Sequence, residues 1–197
     1  MTLKEWSEEL VVHPLVSDRW EDLEALFGSR GACAGCWCMY WRQTQREFEA
    51  GAGEPNRFAL RKLVEIGKIP GLLAYHNGRA IGWISLGPRQ DFQRLARSRI
   101  LKPVDEQDVW SVVCFFVAKE YRRQGLTVHL LQKGVWYAAS CGAAVVEGYP
   151  IAVKSGNTPA VFLYTGTVSA FMKAGFVEVA RRSETRPIMR YYLKKQI

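Results

Sequence analysis

Arg122-Arg123-Gln124-Gly125-Leu126-Thr127 lies between an apolar run and a stretch of helical periodicity, so these residues fall at the first turn of a helix. A first turn leaves backbone N–H groups without intrahelical acceptors and carries the positive end of the helix dipole, and both attract an anion. Gly125 lets the backbone approach a ligand closely, and the guanidiniums of Arg122 and Arg123 can pair with phosphate oxygens. The chemistry these types suit is diphosphate binding. Glu147 is a second candidate, because it interrupts the apolar run Ala144-Val145-Val146-Glu147-Gly148-Tyr149, where a carboxylate is costly unless paired or used. Two roles stand side by side for it: general base or amine anchor, and structural ion pair with one of the many Arg. Cys33, Cys36 and Cys38 are a third, but a tetrahedral zinc site needs a fourth ligand that no second Cys-x-x-Cys and no nearby His supplies. Buried structural cysteines are the expected reading, ahead of a reactive thiol. His13, His76 and His129 read as ordinary surface or satisfied histidines, and the absence of Gly-x-Ser-x-Gly excludes a serine nucleophile elbow.

The elements that must position these groups can be read from periodicity. Leu10 to Val16 is apolar and predicts a strand, and Ser17 precedes a helix whose first turn holds Asp18, Glu21 and Asp22. Trp20, Leu23, Leu26 and Phe27 recur at helical spacing until Gly28. A second helix is predicted from about Pro55 to Gly67, and two antiparallel strands, Gly71–Tyr75 and Ala80–Leu86, flank the hairpin signal Asn77-Gly78. Arg89 to Lys102 reads as an ordered loop or a short helix. Val109 to Ala118 is continuously apolar, as a strand buried on both faces requires, and Val128, Leu131, Val135 and Ala138 then form one helical stripe ending near Cys141-Gly142. A strand over Ala143–Tyr149, a short helix over Val168–Lys173 and two closing strands, Phe176–Ala180 and Ile188–Leu193, complete the chain. The result is a mixed α/β sheet containing a parallel strand–helix–strand crossover, the kind of unit that binds ligands where strands end.

At Arg122 and Gly125 the sequence resembles the GCN5-related N-acetyltransferase (GNAT) family, whose acetyl-CoA signature is Arg/Gln-x-x-Gly-x-Gly/Ala after the fourth strand. Thr127 stands at the sixth place, where the family prefers Gly or Ala. Lys173-Ala174-Gly175-Phe176 matches the family's Lys-x-Gly-Phe near the C-terminus, and the resemblance runs from residue 10 to 195. It implies the acyl-CoA N-acyltransferase fold, a mostly antiparallel central sheet with flanking helices and a parallel acetyl-CoA-binding unit. It also implies direct transfer of acetyl from acetyl-CoA to a primary amine of a small molecule or peptide, with no covalent enzyme intermediate and no metal. By the same resemblance, the backbone of Phe116, Val117 and Ala118 runs beside the pantetheine arm, with one N–H on the thioester oxygen. Arg122, Arg123, Gln124, Gly125, Leu126, Thr127 and Val128 hold the pyrophosphate.

Many members place a Tyr two residues before the Lys of Lys-x-Gly-Phe as general acid; here that place is Phe171, which has no proton to give. Tyr164 and Tyr149 are the candidates to replace it. A departing thiol resembles Cys, with a pKa of about 8.5, so it can also leave unaided as a thiolate. The segment joining the first two helices lines the acceptor pocket in the family, which puts Trp37, Tyr40 or Trp41 in that wall. Arg89, after Gly87-Pro88, borders the acceptor side and is a candidate for recognising an acidic acceptor.

Composition bounds the rest. The chain has 197 residues, 48% hydrophobic and 23% charged, which suits one domain of this family rather than two. The first 65 residues carry 8 Lys and Arg against 11 Asp and Glu, and the remainder 19 against 8, so the basic part seeks an anionic partner. That leaves one alternative open: a non-catalytic CoA-binding or nucleic-acid-binding module on the same fold. Scattered basic residues and the lack of any helix-turn-helix, RNP or zinc-finger pattern argue against nucleic acid. No apolar run reaches the roughly 18 to 20 residues of a membrane span, and Glu5, Glu8 and Glu9 do not suit a signal sequence. Five Cys is an odd count that suits reduced thiols, so a cytoplasmic protein is expected, and its Trp-rich segments suit a homodimer.

Overall fold

The computed structural model describes residues 10–153 and 159–193; Glu5, Glu8 and Glu9 lie outside the described residues. Asn77 and Gly78 take positive φ of 50° and 73°, the backbone that a two-residue hairpin turn demands. They join β2 (Gly71–His76) to β3 (Arg79–Pro88), and β1 (Leu10–Pro14) adds antiparallel to β2. β4 (Trp110–Val117), β5 (Val145–Gly148), β6 (Val177–Arg181) and β7 (Pro187–Tyr192) complete a seven-stranded sheet in the order β1-β2-β3-β4-β5-β7-β6. Among the described strands only β4 and β5 pair parallel, joined by α5 (Leu126–Ser140), so the fold is the expected mixed, mostly antiparallel sheet with a parallel crossover. Among the described residues no helix is long and apolar enough to cross a membrane.

The helices cover both faces. Leu126, Leu130, Leu131 and Val135 of α5 pack on Ile84, Leu86, Val112 and Phe115, and α6 (Val168–Lys173) continues that layer. On the other face, Trp20, Leu23 and Phe27 of α1 (Trp20–Phe27) and Leu60 of α3 (Glu54–Glu65) meet Leu73, Tyr75 and Trp83. A third cluster joins Trp41, Phe92, Leu95 and Leu101 to Val113, Tyr149 and Ile188. Two short helices refine the sequence reading. α2 (Gln45–Ala50) has little apolar periodicity and exists through a capping box: the Thr44 hydroxyl accepts from Glu47 N–H, and the Glu47 carboxylate accepts from Thr44 N–H. α4 (Gln93–Arg97) resolves the Arg-rich stretch, with Leu95 as its buried anchor. Ser17 does not cap α1 through its side chain; residues 17–19 form a 3-10 turn instead.

The parallel pair is short. β4 and β5 are in register only from Trp110 to Val112, against Val146 to Gly148. Beyond Gly148 the chain turns to Ile151, whose N–H donates to Gly166 and whose carbonyl accepts from Val168, so a different segment lies along β4. Phe115 N–H donates to the Tyr164 carbonyl at 2.6 Å. The parting is held by the fully buried Phe171 ring, which packs edge-on against Phe115 and so closely on Gly148 that an added Cβ would lie 2.1 Å from it. Gly148→Ala is therefore expected to lower stability by about 1–3 kcal/mol, read as a shift of the denaturant midpoint, and Phe171→Leu in that background to recover part of it.

Candidate active site

Where β4 and β5 part, a cleft of about 950 Å3 opens between β4, the α5 N-terminus, α6 and the segment before α2. Its floor is a strand edge without a neighbour. Phe115 N–H points to the Tyr164 side and Ala118 N–H donates to Ile81 of β3, and residues along a strand alternate in direction, so Val117 N–H faces the open side. The Val117 carbonyl, on that same side, accepts from Arg122 Nε at 3.0 Å.

One end of the cleft is built by the turn into α5. Gly125 takes φ 87° and Arg123 φ 61°, and this left-handed pair swings the chain so that residues 122–128 line the cleft. Val128 and His129 N–H both bond the Gly125 carbonyl, while the N–H groups of residues 124–127 find no acceptor among the described residues. Unpaired donors, the dipole end of a fifteen-residue helix and the side chains of Arg122 and Arg123 make an anion cradle. Thr127 sits in it with a β-branched side chain, not the Gly or Ala of the family signature.

The other end is aromatic. Tyr40 is the hub, with ring centroids 5.3 Å from Trp41, 5.3 Å from Phe48 and 6.0 Å from Tyr164. Behind them the Arg94 guanidinium lies 4.0 Å from the Tyr40 centroid and 5.5 Å from that of Phe48. Burial pushes the Tyr164 phenol up to about 12, with Tyr40 adding to the effect, so it keeps its proton across the neutral range. Cys36, Cys38 and Cys114 also line this wall, with Cys38 and Cys114 Sγ 3.8 Å apart. Burial raises Cys36 to about 11 and Cys38 well above the ordinary thiol range, which keeps both as neutral thiols. The loop carrying them is strained: Ala32, Ala34, Trp37 and Cys38 all take positive φ without being glycine. Among the described residues no group of three or more His, Cys, Asp or Glu could hold a metal ion.

The cleft thus brings together Phe116, Val117, Arg122 to Val128, Tyr40, Trp41 and Tyr164. Four expected site residues lie elsewhere, and Ala118 borders a smaller hollow of about 530 Å3 next door. Trp37 is buried against Trp20 and Phe27 in the α1 core. Glu147, with no exposure, accepts from Arg89 at 3.0 Å, from Tyr149 Oη at 2.7 Å and from Arg190 Nε at 2.8 Å. Arg190 is in turn held bidentately by Asp105, at 2.6 and 3.0 Å. Glu147, Tyr149 and Arg89 are thereby engaged in one another: the buried Glu147 and Arg190 are balanced by Arg89 after β3 and by the half-exposed Asp105 of the loop before β4, and Arg89 also bonds the Leu101 carbonyl. Burial and the Glu147 charge hold the Tyr149 phenol protonated. Of the Glu147 alternatives, the geometry matches the ion pair. Phe48 and Cys114 were missed. Thr44-x-x-Glu47 would have signalled the helix bearing Phe48, whereas nothing local marks which face of β4 Cys114 takes.

An open strand edge and a helix N-terminus thus face one cleft. The family model of the acetyltransferase (GNAT) family matches residues 30–166, and the chain belongs to that family. Among curated proteins, none matches the sequence significantly. Solved structures do match in fold. A GNAT-family acetyltransferase from Streptococcus agalactiae 2603 aligns over 96% of this chain and 99% of its own, with TM-score 0.57 and 10% identity. The PaiA N-acetyltransferase from Thermoplasma acidophilum in complex with coenzyme A gives 93% and 99%, TM-score 0.51 and 15% identity. The NatC complex bound to Gag peptide and CoA gives 94% and 99%, TM-score 0.53 and 10% identity. Identity this low carries the fold alone.

The buried charge cluster predicts a stability effect distinct from any in the cleft. Arg190→Met leaves Glu147 one partner short inside the sheet, and the expected loss is about 3–5 kcal/mol, measured by chemical denaturation.

Proposed function

We propose that the chain works as one acetyltransferase domain, moving an acetyl group directly from acetyl-CoA to a primary amine of a small-molecule or peptide acceptor. The observation that carries this reading is the conjunction of Val117 N–H on the open edge of β4 with the unpaired N–H groups at the α5 N-terminus. The residues present suit acetyl-CoA: Gly125 and the free amides fit a diphosphate, Arg122 and Arg123 add full charges, and the strand edge suits an amide-bearing arm. When bound, acetyl-CoA supplies an activated acyl thioester.

The chain's own residues have three tasks. Val117 N–H is a fixed donor for the carbonyl oxygen as it gains charge, which needs no reorganisation at the moment of reaction. Tyr164, protonated up to about pH 12, is a proton source for the departing sulfur and takes the place of the Tyr that Phe171 replaces. Phe171, fully buried, holds the cleft open instead. The aromatic wall excludes water from the acceptor end.

The test is acetyl-CoA binding by calorimetry, followed in the same cell by CoA as competitor. Gly125→Val, which forces a β-branched residue into a left-handed backbone, is expected to weaken binding at least a hundredfold while the protein still melts cooperatively. Unchanged affinity would sink the reading, and a folded wild type that binds no acetyl-CoA would favour the non-catalytic alternative. Tyr164→Phe is expected to lower kcat at least tenfold and leave the KM for acetyl-CoA within twofold. Because the phenol is raised, the wild-type donor is present at all pH below about 12, so kcat should show no falling limb from this group between pH 7 and 10.

A further inference from the structure

We infer that the acceptor is an aromatic amine of low basicity, an aniline or aryl hydrazine, whose ring docks in the cup formed by Tyr40, Trp41, Phe48 and Tyr164. The inference rests on the acetyltransferase reading and gives that cleft its substrate class. An amine attacks only through a free lone pair. An alkylamine with the pKa of Lys, about 10.4, is neutral in roughly one molecule in 2,500 at pH 7 and needs a base beside it. Among the described residues the cleft offers none. Among the described residues its charged side chains are Arg122, Arg123 and Lys173, with no carboxylate and no imidazole. Glu147, the buried carboxylate of β5, is already bonded by Arg89, Tyr149 and Arg190.

The aromatic cup does not repair this for an ammonium. Aromatic faces can hold a cation, but the Arg94 guanidinium already lies against Tyr40 and Phe48, and its charge repels a second cation brought to the same rings. The thiols of Cys36 and Cys38 and the phenol of Tyr164 complete a wall that is neutral at pH 7. What such a wall favours is a flat, uncharged ring, stacked edge or face against its own rings. Trp41 also lines the cleft and adds a largely buried indole ring to this wall. In the reaction the aniline lone pair forms the N–C bond, the C–S bond breaks with its electrons on sulfur, Tyr164 gives its proton to that sulfur, and the proton the nitrogen sheds returns to the Tyr164 oxygen through water. The anilinium-type nitrogen becomes strongly acidic as the bond forms, so it releases that proton without a dedicated base.

The experiment follows thiol release from acetyl-CoA with 4-methoxyaniline, 4-methoxybenzylamine and spermidine between pH 6.5 and 9. The expected result is acetylation of 4-methoxyaniline at a rate flat with pH, and a kcat/KM at pH 7 at least a hundredfold above that of 4-methoxybenzylamine, whose rate climbs about tenfold per pH unit. Phe48→Ala should raise the KM for 4-methoxyaniline about tenfold and leave that for acetyl-CoA within twofold. Equal or faster turnover of 4-methoxybenzylamine or spermidine at pH 7 would overturn the inference. So would calorimetric binding of acetyl-CoA with no thiol release from 4-methoxyaniline or phenylhydrazine, an outcome that leaves the acetyl-CoA reading standing. Failure to bind acetyl-CoA at all would remove both.

Discussion

The structure turns on a hydrogen bond that the parallel strands do not make. β4 and β5 pair for three residues, after which the β4 edge is taken over at Phe115 by the Tyr164 carbonyl and then left open. A continuous sheet would bury those amides in a ladder, with no cleft and no donor facing it. What prevents closure is volume: the Phe171 ring fills the angle under Gly148 and Gly166, where a second side chain would collide. Pro150 contributes by lacking an N–H with which to extend the β5 ladder. The bridge from Ile151 to Thr167 then commits the continuing chain to a different partner.

Charge is sorted on either side of that opening. On the far side of the sheet from α5, Arg89, Glu147, Arg190 and Asp105 neutralise one another and tie the loop after α4 to β5 and β7. Inside a protein, such a group of ions is tolerable only when every member is bonded, which removes these side chains from the chemistry of the cleft. The cleft has Arg122 and Arg123 at its α5 end, Lys173 on α6, and neutral thiols and rings in the wall before α2.

The strained loop before α2 explains how the aromatic end is assembled. Positive φ at Ala32, Ala34, Trp37 and Cys38 reverses the chain repeatedly, at a cost of about 1–2 kcal/mol per residue. The reversals send Trp37 into the α1 core while Tyr40 and Trp41 face the other way, into the cleft and its flanking cluster. Trp37, stacked on Trp20 and tilted against Phe27, anchors the loop in the α1 core.

The sequence by itself determined the described strands, the parallel crossover and the glycine turn that starts α5, because these depend on local causes: alternation, helical stripes, Asn77-Gly78, and a glycine at a helix start. The family likeness was legible for the same reason, since Arg122, Gly125 and Lys173-Ala174-Gly175-Phe176 are contiguous signals. Tertiary structure alone decided what each singled-out side chain touches. Glu147, an exception in an apolar strand, could be read as base or ion pair until Arg89 and Arg190 were seen to converge on it from β3's end and β7. Trp37 and Tyr40 are three residues apart and indistinguishable by type, yet a left-handed turn puts one in the core and the other in the cleft. Pairing over long separations and the direction of a loop residue depend on atoms far away in the chain, and no local pattern records them.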